Sequence, residues 1–266
     1  MQSGLTELKV LGIVPFGHAS ASRGHFALRL SPPAWPAWQP GQFIMLRPAS
    51  FGLEIPWGRP FSICHTTSRH LICFFRVEGR GTKLISELRP GDPVHVWGPL
   101  GRGFAVETDT PTLLLAGGMG IAPFVGYVAR HPQPWNLGML FGHRDPPGCY
   151  PVDNISEHIQ VDSLREHEPG DLDNFIFSMQ EKITDCAAQN GLALACGPMP
   201  FLRAAKELAA KANCRLQISI EKRMACGVGA CLGCVCKPTP KSPHDTGQPI
   251  QTCLHGPVFW ADEIEI

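Results

Sequence analysis

Four cysteines late in the chain constrain it more than any other feature. Cys226, Cys231 and Cys234 are spaced C-x4-C-x2-C, and Cys253 stands well beyond them. Three thiols on one short loop plus a distant fourth is the spacing by which a plant-type [2Fe-2S] cluster is wrapped. Gly227, Gly229 and Gly233 let the backbone come close to such a cluster and aim N–H groups at its sulfurs, while Ala225, Val228, Ala230 and Leu232 keep water away. The rival is a structural zinc site, but zinc more often joins two similar Cys pairs. Cys236 is an alternative to Cys234 as ligand; in an extended chain its side chain points the other way, which reads as a spare thiol. The chain has 11 Cys, an odd number, and five lie from Cys226 onward. Clustering of this kind among reduced thiols indicates metal rather than disulfides.

The rest of the chain divides by pattern. With 28 Gly and 26 Pro among 266 residues, it is rich in turns. Alternation in Phe26–Leu30, and short runs at Gln42–Leu46, Phe61–Cys64, Leu71–Val77 and Pro93–Val96, predict an antiparallel barrel or sandwich, with a loop marked by Pro32, Pro33, Pro36, Pro40 and Gly41. From Thr112 the pattern changes. Continuous apolar runs at Thr112–Ala116, Leu137–Phe141 and Leu192–Cys196 alternate with helical stretches at Ala122–Arg130 and Pro200–Ala212, as in a parallel sheet covered on both faces. The fold class expected is α+β multidomain: a β-barrel over 1–108, an α/β parallel-sheet domain over 109–213 and a cysteine module over 214–266. Lys237–Pro249 reads as an exposed loop. Lys plus Arg equals Asp plus Glu at 23 each, so no basic footprint for nucleic acid exists. No apolar run reaches the roughly 18 residues of a membrane span, and Met1–Val10 lacks the pattern of a signal peptide. A cytoplasmic protein is expected.

Three segments suggest ligands. Arg59-Pro60-Phe61-Ser62 follows the turn Pro56-Trp57-Gly58; its Arg can fork onto a diphosphate, its Ser can reach a ring edge, and the aromatic offers a flat contact. By itself such a run is more often a strand end than a site. Gly79-Arg80-Gly81-Thr82 precedes a helical pattern over Lys83–Leu88 and fits either anion binding or a helix cap by Thr82. Leu113–Pro123 (LLLAGGMGIAP) is a strand, a Gly-rich turn and a helix start, although it is not GxGxxG.

In order, the Arg-x-aromatic-Ser motif, Gly117-Gly118-Met119-Gly120-Ile121-Ala122-Pro123 and the late Cys196-Gly197-Pro198 resemble the ferredoxin–NADP reductase superfamily. The run Met224–Cys234 and the ending Cys253-Leu254-His255-Gly256-Pro257-Val258-Phe259 resemble, within it, the electron-transfer subunits of class 1B dihydroorotate dehydrogenase. The resemblance spans nearly the whole chain and implies FAD, a [2Fe-2S] cluster and NAD as cofactors. It also implies an FMN-containing catalytic subunit as partner, two of each subunit forming a heterotetramer in pyrimidine biosynthesis. Residue by residue, it assigns Arg59 to the FAD diphosphate, Ser62 to the flavin N5 region, and Pro60 and Phe61 to the same site. Phe75, Arg76 and Val77 would line the flavin and ribitol, and Gly81 and Thr82 would bind phosphate. Gly117, Gly118 and Gly120 would face the NAD pyrophosphate, with Cys196 and Gly197 near the nicotinamide. Cys226, Cys231, Cys234 and Cys253 would ligate the cluster.

Val152–Asn174 departs from the family: it is acidic and Gly-poor where a Gly-containing nucleotide loop is expected. Arg144 could serve a 2′-phosphate but Asp145 would oppose it, which favours NAD. No acid–base triad is expected, because the cofactors carry the chemistry. The rival readings are a reductase subunit serving a hydrogenase or a ferredoxin, a zinc-stabilised module without redox function, and a subunit that keeps the fold but has lost nucleotide binding.

Overall fold

The computed structural model describes residues 4–17, 24–35 and 37–266; Met1–Ser3 of the segment read for a signal peptide, and Pro36, lie outside them. The first half is one antiparallel sheet of seven strands: β1 (Leu5–Phe16), β2 (His25–Leu30), β3 (Phe43–Pro48), β4 (Arg59–Ser62), β5 (His65–Thr66), β6 (Leu71–Arg76) and β7 (Pro93–Leu100), in the order β4-β3-β7-β1-β2-β6-β5. Its two ends curl together. The Cys64 N–H donates to the Ile72 carbonyl at 3.0 Å, and the Phe61 and Phe75 rings meet at 5.6 Å. The alternation expected of half-buried strands sends Leu28, Leu30, Ile44, Leu46, Phe61, Ile63, Phe75, Val94 and Val96 into the barrel core. The short helix α1 (Arg80–Ser86) covers one end.

The second half is a six-stranded sheet. Its strands are β8 (Thr112–Gly117), β9 (Leu137–His143), β10 (Gln160–Arg165), β11 (Leu192–Cys196), β12 (Arg215–Ser219) and, after the two-residue pair β13 (Val235–Cys236) and β14 (Ile250–Gln251), β15 (Val258–Trp260). The order β10-β9-β8-β11-β12-β15 is parallel except for β15. Helix α2 (Ala122–Arg130) packs against one face together with the short α3 (Asp153–Ser156), and α4 (Asp171–Ala188) and α5 (Met199–Ala212) against the other; α6 (Thr252–His255) lies in the last segment. Strand order reverses beside β8, so a crevice opens between the carboxyl ends of β8 and β11, where open α/β sheets bind ligands. The cysteine segment is therefore an excursion between β12 and β15, both strands of this sheet. Among the described residues, no helix is long and apolar enough to cross a membrane.

The elements that the sequence pattern did not reveal include β1, β10, α4 and β12. β1 is largely exposed and has a register shift between Val10 and Gly12, which blurs its alternation. β10 is an edge strand with exposed and half-buried residues, hidden in the acidic stretch Val152–Asn174. The single glycine of this Gly-poor stretch, Gly170, lies in the loop after β10 at φ +98°, directly before α4. α4 buries only Phe175, Met179, Ile183 and Cys186, one per turn, and its other faces are polar.

The two halves share a core: Cys64, Phe74 and Phe104 of the first pack with Phe124, Tyr127 and Tyr150 of the second, and the Tyr127 hydroxyl donates to the Ala105 carbonyl at 2.8 Å. Gly126 lets α2 approach; a Cβ there would lie 2.4 Å from the Trp38 ring and 2.6 Å from the Cys64 carbonyl oxygen. Gly126→Ala is therefore expected to destabilise the protein by about 1–3 kcal/mol through overpacking. A thermal melt followed by circular dichroism checks this, and an unchanged midpoint would contradict the packing described.

Candidate functional site

The cysteine loop lies on the outer face of the barrel. Phe43 and Met45 of β3 and Leu100 of β7 form an apolar seat with Cys234 and Cys253, flanked by Trp97 and Met224. Gly227 and Gly229 sit at φ +72° and +82°, in the left-handed region that glycine adopts without penalty. A Cβ on Gly227 would lie 2.4 Å from Met45 Cγ of the seat, and one on Gly229 2.4 Å from Leu254 Cδ1 beside Cys253, so the loop's close packing favours glycine at both places. The Val228 N–H points at Cys226 Sγ and the Cys253 N–H at Cys234 Sγ, each at 3.4 Å.

Among the described residues no three Cys, His, Asp or Glu side chains are arranged to hold a single metal ion. The thiols instead approach in two pairs, Cys226 with Cys231 and Cys234 with Cys253. Burial pushes the Cys226 thiol up, but the backbone N–H groups of Val228 and Cys231, the Cys231 thiol and the Ala230 N–H outweigh it and hold the group at about 7. Burial, with the hydrogen bond and charge of Cys234, pushes Cys253 up to about 12. Amide donors converging on sulfur suit a thiolate cluster, whose sulfurs accept such bonds. Cys236 lies on β13 with its side chain in the core beside Ile250, away from the loop.

Arg59 opens β4, and its guanidinium donates to the Trp57 and Gly58 carbonyls at 2.9 and 3.1 Å. It lies against the start of α1: a Cβ on Gly81 would be 2.7 Å from Arg59 Nε. The fold thus joins two segments that the sequence separates, placing a forked cation beside a glycine turn. Thr82 caps α1, its Oγ1 accepting from the Glu78 and Gly79 N–H groups at 2.9 and 3.1 Å. Pro60 and Ser62 lie on the outer face of β4, whereas Phe61 and Phe75 are only 8% and 2% exposed and turn into the core. What those two present outward is backbone. Arg76 pairs with Glu78 and lies 3.8 Å from Asp145, and Val77 packs beside the barrel core.

At the crevice, Gly117, the last residue of β8, and Gly118 and Gly120 just after it meet Cys196 and Gly197 at the end of β11. A Cβ on Gly120 would fall 2.0 Å from the Cys196 carbonyl oxygen; around Gly118, at φ +52°, there is open space. Burial, and then the charge of Glu221, raise the Cys196 thiol. Arg144 is held bidentately by Glu166, Nε at 2.9 Å and Nη2 at 3.0 Å, while Asp145 faces Arg76 and lies 3.7 Å from His25. The carboxylate opposing Arg144 is thus Glu166, not its neighbour.

Two residues went unnoticed in the sequence. Glu221 keeps contact with solvent at its surface, but protein atoms crowd its carboxyl and partly desolvate it, raising it above the usual range, with Arg76 opposing and Glu78 reinforcing the shift. It stands where barrel, crevice and cysteine segment meet, and its position just ahead of the Cys motif was its only sequence signal. Trp97 donates its indole N–H to the Cys226 carbonyl at 2.9 Å; a lone Trp in an alternating strand carries no such signal.

Comparison with known proteins adds the following. Residues 221–265 match the family model described as the iron-sulfur cluster binding domain of dihydroorotate dehydrogenase B. The chain is 33% identical over 226 residues to the dihydroorotate dehydrogenase B (NAD(+)) electron transfer subunit of Caldanaerobacter subterraneus, covering 85% of this chain and 86% of that one. It is 33% identical over 235 residues to the subunit of the same name from Listeria monocytogenes, covering 85% and 87%. Among solved structures, an NADH-dependent reduced ferredoxin-NADP oxidoreductase superposes with a TM-score of 0.75 at 20% identity, over 99% of this chain and 91% of that one. The ferredoxin-NADP+ reductase of Plasmodium falciparum superposes with a TM-score of 0.64 at 10% identity, over 78% and 91%. These two likenesses are of fold.

Gly120→Ala would drive a methyl into the Cys196 carbonyl and part the two sides of the crevice. It is expected to weaken NADH binding at least tenfold by calorimetry while leaving the barrel intact; wild-type affinity would show that the crevice is not the nucleotide site.

Proposed function

The chain belongs to the family of dihydroorotate dehydrogenase B electron-transfer subunits, and from that membership we propose how its residues link the FMN of a dihydroorotate-oxidising catalytic subunit to NAD+. With FAD and a [2Fe-2S] cluster bound, electrons delivered singly are collected and leave as a hydride to the nicotinamide. The observation that carries this reading is the seating of the cysteine loop on β3 and β7, in the same sheet and next to β4, which is the Arg59–Ser62 segment.

Each segment has a distinct task. Arg59, beside Gly81 and Thr82, holds the diphosphate of FAD, and Pro60, Ser62 and the backbone of Phe61 edge the flavin. Phe75 supports the same wall from within the core, with Arg76 and Val77 at its rim. Gly117, Gly118 and Gly120 leave room for the NAD pyrophosphate at the switch point of the sheet, and Cys196 and Gly197 border the nicotinamide. The Arg144–Glu166 pair occupies the cation that a 2′-phosphate would need, which favours NAD. Cys226, Cys231, Cys234 and Cys253 would together hold the cluster, their thiols approaching one another in two pairs. The functional division is 1–108 for flavin, 109–213 for nucleotide and 214–266 for the cluster, with β12 and β15 anchoring the last segment to the sheet of the second. Eleven free cysteines suit a reducing cytoplasm.

Around the cluster loop, Val228, Leu232 and Leu254 are exposed. This apolar rim is the docking face for the catalytic subunit, in an assembly of two of each, and it places the cluster at the point where electrons enter.

The direct test is the visible spectrum of anaerobically purified protein before and after NADH. Flavin and iron–sulfur bands that both bleach support the reading; a colourless protein with stoichiometric zinc overturns it. Leu232→Glu, which sets a charge in the docking face, is expected to weaken binding to the catalytic subunit at least tenfold in a co-purification titration; unchanged binding would move the interface elsewhere.

A further inference from the structure

The pleat of the barrel wall links two regions that the proposed function keeps separate. In antiparallel strands, residues directly opposite one another share a face. Ser62 lies opposite Phe43 and Pro60 opposite Met45, across β4 and β3. Met45 in turn lies opposite Trp97, and Phe43 opposite Leu100, across β3 and β7. One outer face therefore runs from the flavin edge at Pro60 and Ser62, through Phe43 and Met45, to Trp97 and Leu100, and the cysteine loop rests on its far end. β4 and β7 are two strand spacings apart, roughly 10 Å.

Trp97 occupies both ends of the last step. Its ring lies against the turn before Arg59, since a Cβ on Gly58 would be 2.7 Å from Trp97 Cη2. Its N–H reaches 129 positions along the chain to the carbonyl of Cys226. Among the described residues the other backbone tie between this wall and the segment is the Arg102 N–H to the Gly256 carbonyl, on the Cys253 side. The Cys226 side of the loop hangs on the indole. Cys226 precedes Gly227 and Gly229, both at positive φ, in a loop with no helix or strand of its own until Val235. Its position is therefore set by contacts with the wall.

We propose that Trp97 is a positioning residue for electron transfer: its indole N–H clamps the first cluster ligand to the wall that carries the flavin, and so fixes the spacing across which each electron passes. The proposal rests on the cofactor assignment made above. One electron leaves one centre and arrives at the other, no proton or bond to the indole changes, and Trp97 is not itself oxidised. Because transfer weakens steeply with distance and with breaks in the bonded path, loosening this one tie slows the step between cluster and flavin without touching the step between flavin and nucleotide.

The experiment compares anaerobically purified wild type with Trp97→Phe and Trp97→Met, two apolar replacements that lack the N–H, so that either one retaining FAD carries the test. Stopped-flow reduction by NADH reads flavin and cluster bands separately, and paramagnetic resonance reads the reduced cluster. The expected result is flavin reduction within about twofold of wild type, cluster reduction slowed about three- to tenfold, as the loss of one hydrogen bond would allow, and shifted resonance lines. Unchanged cluster reduction with unchanged lines overturns the proposal. Parallel loss of FAD and cluster also overturns it, because Trp97 would then be only a structural residue. A wild-type protein without a cluster would instead overturn the cofactor assignment itself, and this inference with it.

Discussion

The placement of β3 between β4 and β7 is the constraint on which the rest depends. β3 is buried on both faces: Ile44 and Leu46 face the barrel core, and Phe43 and Met45 face the cysteine loop. A strand that is apolar on both sides must be covered on both, and here the second cover is the loop that carries Cys226, Cys231 and Cys234. The flavin-type motif on β4 and the cysteine loop are brought into register by the same ladder of hydrogen bonds. Shifting β3 by one residue would turn Phe43 and Met45 inward and Ile44 and Leu46 outward, dismantling the seat and the core together.

The cysteine excursion is fixed from two sides. β12 and β15 hold its ends in the parallel sheet, and the Trp97 and Arg102 hydrogen bonds hold its two flanks, at Cys226 and Gly256, to the barrel. The end of the chain fastens the long loop between Cys236 and Ile250: the Thr239 N–H donates to the Glu263 carbonyl, the Glu265 N–H to the Lys237 carbonyl, and Lys206 Nζ to the Ile264 carbonyl. A loop with little secondary structure is thereby held through its ends and rim, as a centre with defined neighbours requires.

Electrostatics are concentrated at the junction of the three segments. Arg76 lies near Asp145 of the sheet domain and opposes the raised carboxyl of Glu221. Elsewhere the charges are surface pairs of small energetic weight, such as Lys9 with Glu7. The zero net charge likewise leaves the architecture to apolar packing.

Much of this was legible in the residues. The four cysteine positions, the Gly-rich turn after β8, the Cys196-Gly197-Pro198 end of β11 and helix α2 were all read from the sequence, because spacing, glycine and apolar runs are local properties. Among the unread elements, β1, β10 and α4 lie at edges or keep solvent on one side, so their patterns are diluted, while β12 is too short to stand out. What only the tertiary structure decided is which distant residues meet. Arg59 beside Gly81, Gly120 against Cys196, Trp97 on Cys226 and the inward turn of Phe61 and Phe75 all follow from strand register and sheet order. Register is a property of pairs of strands, set by which faces must be buried, and no single stretch of sequence contains it.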